Sequence, residues 1–183
     1  MRTFIGGCFL ALSLAMAGCA SSPQIPPLTV GDVDLERYQG TWYELARLPM
    51  FFQRKCVQSQ AEYRLRDDGR IAVTNSCLTL DGERQVATGE AWPQVPGETD
   101  KLWVRFDNWF SELFPTLTRG EYWILYLDEG YQTAVVGHPD REYLWLLSRT
   151  PEVSPETQAR LLAVAHDRGY DVSELIWRAE LPK

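Results

Sequence analysis

The chain has 183 residues, of which 45% are hydrophobic and 23% charged, and its formal net charge is −7. This composition is typical of one soluble globular domain with a sizeable core. An acidic chain without a basic stripe argues against nucleic-acid binding and against electrostatic docking on anionic lipid.

The first 18 residues have the features of an export signal. Arg2 supplies a positive charge, residues 4–16 are apolar, and small residues precede Cys19. The apolar segment is shorter than the roughly 20 residues that a transmembrane helix needs. Because the Ala17-Gly18-Cys19 ending resembles a bacterial lipobox, we predict residues 1–18 to be a lipoprotein signal peptide. Plain secretion of an unanchored product is the alternative.

Cys19 is the predicted lipid attachment site, carrying diacylglycerol on sulfur and an acyl chain on the new amino terminus. Two or three acyl chains hold a protein durably on a bilayer, whereas one gives marginal binding. Ala20 replaces the aspartate that retains many enterobacterial lipoproteins in the inner membrane, so this resemblance implies the periplasmic face of the cell outer membrane. Residues 19–33 are the predicted lipidated N-terminus and proline-rich tether, and residues 34–183 the domain.

Cys56 and Cys77 are the cysteines left inside the domain. A hairpin turn at residues 67–69 pairs position 59 with position 77, so Cys56 lies three residues beyond the partner of Cys77. A regular ladder would hold the two sulfurs apart, but a bend at the strand entrance brings the Cα atoms within about 4.4–6.8 Å. We predict a disulfide in the exported protein, with two free thiols as the alternative. A metal site without nearby histidines is disfavoured.

Residues 35–38 form a predicted helical turn, and residues 41–149 read as strands separated by short turns. So many antiparallel strands form either a sandwich or a closed barrel, and composition does not choose between them. Ser154 and Pro155 then predict a helix start, and Gly169 its end. The stripe Leu161, Leu162 and Ala165 predicts packing on the outside of the sheet, and residues 175–178 a short final strand.

Several motifs in order resemble the lipocalin family, and the strings GTWYELAR and DREYLWLLSRTP resemble its bacterial outer-membrane lipoprotein members. The motifs are Gly40-x-Trp42, the hairpin at 66–69, the turn at 139–141 and Arg149. The resemblance implies an all-β fold: an eight-stranded antiparallel up-and-down β-barrel with a C-terminal helix packed outside. Gly40, Trp42 and Arg149 form the structural signature, with the guanidinium stacked on the indole that closes the barrel.

Alternation of apolar and polar residues predicts which side chains face inward, and in the later, doubly apolar strands the family register is used instead. That register places Tyr126, Val135, Tyr143 and Trp145 inside, and the small residues Gly89 and Ala91 favour an open cavity. A packed core without a ligand is the alternative. The predicted ligand-binding residues are Ala61, Tyr63, Val73, Gly89, Ala91, Val104, Phe106, Trp109, Phe114, Tyr122, Tyr126 and Trp145.

Glu44 shares the strand face of Trp42, so its carboxylate is predicted to lie in the interior. A buried carboxylate is paired, hydrogen-bonded or protonated. Its partner is either a ligand head group or an internal tyrosine or arginine, and we favour the internal partner.

The resemblance implies a cup that binds a fatty acid or lysophospholipid for lipid storage or transport in envelope maintenance. It admits a homodimer without identifying an interface. The alternative is a filled barrel that docks a protein partner through the aromatic loop at 109–114. No catalytic, cofactor or metal motif occurs, and we predict no enzyme activity. A lipocalin-fold enzyme is the remote alternative.

Overall fold

The structure is a computed structural model, and it describes residues 25–107 and 119–180. Two helices, α1 and α2, and nine strands, β1 to β9, follow one another along this part of the chain. Their bounds are α1 Leu35–Tyr38, β1 Gly40–Arg47, β2 Cys56–Leu65, β3 Ile71–Thr79, β4 Arg84–Pro93, β5 Lys101–Phe106, β6 Arg119–Leu127, β7 Thr133–Gly137, β8 Leu144–Ser148, α2 Pro155–Asp167 and β9 Ile176–Trp177.

Strands β1 to β8 form a closed antiparallel barrel in which each strand pairs with its neighbour in sequence. Closure comes from β1, whose first half pairs with β2 while its later residues pair with β8. β9 adds to the outside edge of β1, opposite Ala46 and Arg47. The predicted eight-stranded barrel, the helix after Ser154 and the short final strand are therefore confirmed.

The two ends of the barrel differ. At the closed end, α1 precedes β1 and Trp42 is completely buried. We call the opposite end the mouth. It is bounded by the connections between β1 and β2 (48–55), β3 and β4 (80–83), and β7 and β8 (138–143). Phe52 and Tyr143 make an edge-to-face ring contact 5.4 Å apart, which joins the first and last of these connections.

Helix α2 packs on the outer face of the barrel, as predicted. Ser154 caps it by accepting a hydrogen bond from the Thr157 amide, and Gly169 follows it with a φ of +84°. Leu161 and Ala165 are fully buried against outward-facing strand residues. These include Leu45, Leu125, Val135, Leu144 and Leu146. This second core, outside the barrel, explains why β6 to β8 are apolar on both faces.

A bulge in β6 changes which residues face inward. Ile124 pairs with Val136, but the next pair is Tyr126 with Val135, so Leu125 is the extra residue. Ile124 and Val136 remain in the interior cluster, whereas Val135 and Tyr126 pack with the helix-side core. The predictions that Tyr126 and Val135 face the interior are therefore wrong. The inserted residue reverses the alternation in β6, and in β7 it is Ala134 and Val136, on either side of Val135, that face inward.

Cys56 and Cys77 form a disulfide with a Cα separation of 5.5 Å. Ser59 pairs with Cys77, as the hairpin predicts, and the β2 register shifts between Cys56 and Gln58. That irregularity supplies the bend that brings Cys56 back toward Cys77. The predicted disulfide is confirmed, and it ties β2 to β3 near the mouth.

Candidate functional site

The closed end is sealed by the Gly40, Trp42 and Arg149 group. The Arg149 guanidinium lies 3.9 Å from the centre of the Trp42 indole. It also donates three hydrogen bonds to the carbonyl oxygens of Thr41, Arg37 and Tyr131, at 2.9, 2.9 and 3.1 Å. Gly40 has a φ of +89°, and a Cβ there would lie 3.4 Å from Arg149, so this position suits glycine.

Three tyrosines form the floor of the interior above Trp42. The hydroxyls of Tyr38 and Tyr122 are hydrogen-bonded at 2.9 Å, and the Tyr63 hydroxyl donates to Tyr122 at 3.1 Å. Burial raises the pKa of Tyr63 to about 12, and burial likewise raises the pKa of Tyr38 and Tyr122 above the ordinary value. The three hydroxyls therefore stay neutral at physiological pH and satisfy one another.

The space beside these tyrosines is small. A cavity of about 10 Å³ lies between them and the lower walls, which is room for about one water molecule. Its lining residues are Tyr38, Tyr63, Ile71, Ala91, Leu102, Val104 and Tyr122. The closed half of the barrel is therefore largely filled by side chains.

The walls toward the mouth come from the inner faces of β2 to β5. Val73, Gly89 and Phe106 lie side by side in register. Although Val104 and Phe106 face inward, both keep partial exposure, and Ala87 on the same face is exposed. The sequence had predicted inward small residues here as a source of open volume.

Gly89 has a second explanation in the structure. A Cβ at this position would lie 2.3 Å from the carbonyl oxygen of Arg105, on the neighbouring strand. Such a contact with backbone cannot be relieved by moving a side chain, so only glycine allows β4 and β5 to approach this closely.

A buried polar cluster lies below the connection between β1 and β2 at the mouth. Arg47 donates from Nη1 to Glu44 Oε1 at 3.2 Å and from Nη2 to the carbonyl oxygens of Gln53 and Cys56 at 2.9 and 3.1 Å. Gln53 Nε2 donates to Glu44 Oε2 at 2.9 Å, and its Oε1 accepts from the Trp145 indole at 3.0 Å. Glu44 thus has internal partners, as its predicted structural role requires.

Burial raises the pKa of Glu44, while Arg47 and the hydrogen bond from Gln53 act in the opposite direction. Sequence reasoning placed Glu44 inside but missed Arg47, which would face outward in a regular strand. A register shift between Glu44 and Ala46 turns Arg47 inward beside Trp145. The only sequence signal was a basic residue three positions after the acid.

The structure brings together most of the predicted ligand-binding residues around one interior: Ala61, Tyr63, Val73, Gly89, Ala91, Val104, Phe106, Tyr122 and Trp145. Tyr126 lies on the other face of the sheet. Cys19, Trp109 and Phe114 fall outside the described residues. Their roles, and ligand contact by the interior residues, remain predictions.

Within residues 25–107 and 119–180, no group of three or more His, Cys, Asp or Glu side chains could hold a metal ion. In the same part of the chain, no helix is both long and apolar enough to cross a bilayer. The described part of the interior instead offers apolar walls, aromatic rings with polar tips and the ion pair between Glu44 and Arg47, whose charges balance each other. That arrangement suits binding of an apolar or amphipathic small molecule.

Comparison with known proteins agrees with this geometry. The model of the lipocalin-like domain family matches residues 33–180. The chain therefore belongs to the lipocalin family. It is 39% identical over 171 residues to the outer membrane lipoprotein Blc of Citrobacter freundii, covering 91% of this chain and 92% of the relative.

It is also 40% identical over 149 residues to temperature-induced lipocalin-1 of Arabidopsis thaliana, covering 80% of this chain and 78% of the relative. Among solved structures, insecticyanin of Manduca sexta superposes with a TM-score of 0.64 at 20% identity. That superposition covers 88% of this chain and 87% of insecticyanin, and it supports the fold alone.

Proposed function

We propose that the protein binds one fatty acid or lysophospholipid inside the mouth half of the barrel. The observation that supports this most directly is the accessible surface of inward-facing residues. Trp145 faces the interior of a closed sheet yet is incompletely buried, and Ala87 is exposed on the inner face of β4. A fully packed barrel would bury both.

The energetics favour an acyl chain as the occupant. Each methylene moved from water to an apolar surface contributes about 0.8 kcal/mol, so a long chain gains several kcal/mol before its ordering cost. Since the tyrosine floor fills the closed half, the acyl chain bends or stays within the mouth half. The polar head group then lies near the mouth, beside Gln53 and Trp145.

We further propose that Cys19 is acylated and anchors the protein to the periplasmic face of the outer membrane. The relatives named outer membrane lipoprotein Blc support this location, because their alignments cover more than nine tenths of the chain. An anchored carrier would store or move single-chain lipids during envelope maintenance. The role is that of a binding protein, and no catalytic step is assigned to it.

Lipid retention by residues 20–183 tests the proposal. The protein is mixed with bacterial fatty acids and lysophospholipids and freed of unbound lipid. Native mass spectrometry then measures the mass of the protein with any lipid that it retains. We expect one lipid per chain. Ala87→Trp, on the inner face, should abolish retention because the indole fills the mouth half. The matched control is Val86→Trp on the outer face, which should retain lipid.

A wild-type protein that stays free of lipid across the whole mixture would refute the carrier role. Equal retention by both tryptophan variants would instead show that lipid binds elsewhere on the molecule.

A further inference from the structure

We propose that the mouth of the barrel faces and touches the bilayer that carries the anchor, through Phe51, Phe52 and Leu80. The inference rests on the acylated Cys19 of the proposed function, but it does not depend on which lipid the barrel binds. It adds an orientation and a docking surface.

The path of the N-terminal segment is the first argument. Arg141, in the connection between β7 and β8 at the mouth, donates from Nη2 to the carbonyl oxygen of Ile25 at 3.0 Å. Its Nε donates to the carbonyl oxygen of Arg168 at 2.8 Å, which holds the side chain in place. Farther along, the Val33 amide donates to Thr99 Oγ1 in the connection between β4 and β5 at the closed end. The described chain therefore starts beside the mouth and runs toward the closed end.

The anchor site is close to that starting point in sequence. Cys19 precedes Ile25 by six residues, and six residues span at most about 20 Å when fully extended. A bilayer attached to Cys19 is therefore within about 20 Å of the mouth. Reaching the closed end would require the tether to run back along the length of the barrel.

Exposed apolar side chains on the mouth are the second argument. Phe51 is 78% exposed, Phe52 is 62% exposed and Leu80 is 85% exposed. The first two belong to the connection between β1 and β2, and Leu80 to that between β3 and β4. Large apolar side chains grouped on one surface mark a contact with a membrane or a partner.

A groove of about 310 Å³ continues this apolar surface on the outside of the barrel. It is lined by Pro49, Met50, Phe51, Arg54 and Ile176. The Arg54 guanidinium lies 4.4 Å from the centre of the Phe51 ring. This pair suits a membrane interface, where an apolar ring such as Phe51 enters the acyl region and a cation such as Arg54 stays at the level of the head groups.

The bilayer is favoured over a protein partner because the anchor already brings it to this end. A tethered contact needs little intrinsic affinity, since the tether keeps the two surfaces at a high effective concentration. The protein is acidic overall, so the contact gains its energy from apolar burial rather than from charge attraction. A mouth held on the bilayer would let a single-chain lipid pass between membrane and barrel without crossing water.

Photocrosslinking of the full-length acylated protein tests the orientation. The protein is reconstituted in vesicles of phosphatidylethanolamine and phosphatidylglycerol. A photoreactive phenylalanine analogue replaces Phe52 or, as the matched control, Val95. Val95 is 49% exposed in the connection between β4 and β5 at the closed end. We expect phospholipid adducts at position 52 in several-fold excess over position 95, and the same excess at high salt.

Equal adduct yields at the two positions would overturn the inference, as would adducts of position 52 mainly with a second copy of the chain. Absence of acyl chains on Cys19 by intact mass would also overturn it. A second variant, Phe51→Ser combined with Leu80→Ser, alters only exposed side chains and should fold normally. Its adduct yield at position 52 should fall severalfold.

Lipid retention is measured on the same preparations by native mass spectrometry. Loss of retention with an unchanged adduct pattern would refute the proposed carrier role while leaving the orientation intact. Retention of lipid together with equal adduct yields at positions 52 and 95 would refute the orientation while leaving the carrier role intact.

Discussion

Glu44 and Arg47 form a buried ion pair that neither residue could make in a regular strand. Residues three apart in a strand point to opposite faces, and the irregularity at Leu45 brings both side chains inward. Two charges buried together offset part of each other's desolvation cost, whereas one left alone is strongly destabilising. The pair also holds the connection between β1 and β2 through the carbonyl oxygens that Arg47 contacts.

Glu44→Gln should lower the free energy of unfolding by about 3–5 kcal/mol, because it leaves the Arg47 charge buried without a counter-charge. Urea denaturation measures the change. Glu62→Gln, on the exposed face of β2, is the matched control and should change stability by less than about 0.5 kcal/mol. Adding Arg47→Met to Glu44→Gln should recover much of the loss. A double variant less stable than Glu44→Gln would contradict this account.

The tyrosine floor predicts a loss of stability at alkaline pH. Burial raises the pKa of Tyr63 to about 12, whereas an unfolded tyrosine ionises near pH 10. Above about pH 10 the unfolded state has lost a proton that the folded state keeps, so stability falls as pH rises toward 12. Tyr63→Phe should cost about 1 kcal/mol near neutral pH through its lost hydrogen bond to Tyr122.

Two pKa units correspond to about 2.7 kcal/mol, which exceeds the roughly 1 kcal/mol cost of the substitution. The stability advantage of wild type over Tyr63→Phe should therefore shrink from about pH 9 upward and reverse in sign before about pH 12. Urea unfolding at a series of pH values measures it. A difference that stays constant over this range would mean that Tyr63 ionises as easily in the folded protein as in the unfolded chain.

At the scale of single elements, capping residues predicted the outer helix, export and the hairpin register predicted the disulfide, and the alternation of apolar and polar residues predicted the strands. It worked where one face is polar: Ala61 and Tyr63 face inward between the exposed residues Glu62 and Arg64. It could not be applied in β6, because residues 122–127 are apolar on both faces and contain nothing that marks an inserted residue, and the family register used there instead placed Tyr126 on the wrong face. The packing of α2 against Leu125 shows which face of β6 lies on the helix side and which lies in the barrel interior.

Helix α2 is predicted to stabilise the barrel chiefly through Leu161, which is fully buried against β6 to β8. Leu161→Ala should lower the free energy of unfolding by about 2–5 kcal/mol, from lost burial and the cavity left behind. Leu162→Ala is the matched control and should cost less, since Leu162 is only partly buried. Thermal or urea unfolding followed by circular dichroism measures both. Equal losses would mean that the two leucines share the contact.

For the whole molecule, the barrel divides into a filled closed half and a mouth half with accessible inner walls. The lipocalin signature predicted the sealed end, because Gly40, Trp42 and Arg149 are identifiable as a motif. The polar cluster of Glu44, Arg47 and Gln53 had no such motif. Its members are brought together by a bulge and by the fold of a connection, neither of which leaves a periodic pattern in the sequence.

This division predicts that lipid stabilises the entire fold. A ligand that binds only the folded state adds about 2.7 kcal/mol at 100 times its dissociation constant. For a domain of this size, that corresponds to a rise in Tm of about 5–10 °C. Lysophospholipid at saturating concentration should produce this rise in wild type and in Val86→Trp, but not in Ala87→Trp.

Differential scanning calorimetry below the critical micelle concentration measures the shift, with a short-chain analogue as the baseline. Because the mouth half lies next to the polar cluster and the disulfide, lipid bound there links β1, β2 and β8 with the walls from β3 to β5. A rise in Tm of the same size in Ala87→Trp would place the stabilising lipid outside the barrel, on the groove beside Phe51 or another outer surface.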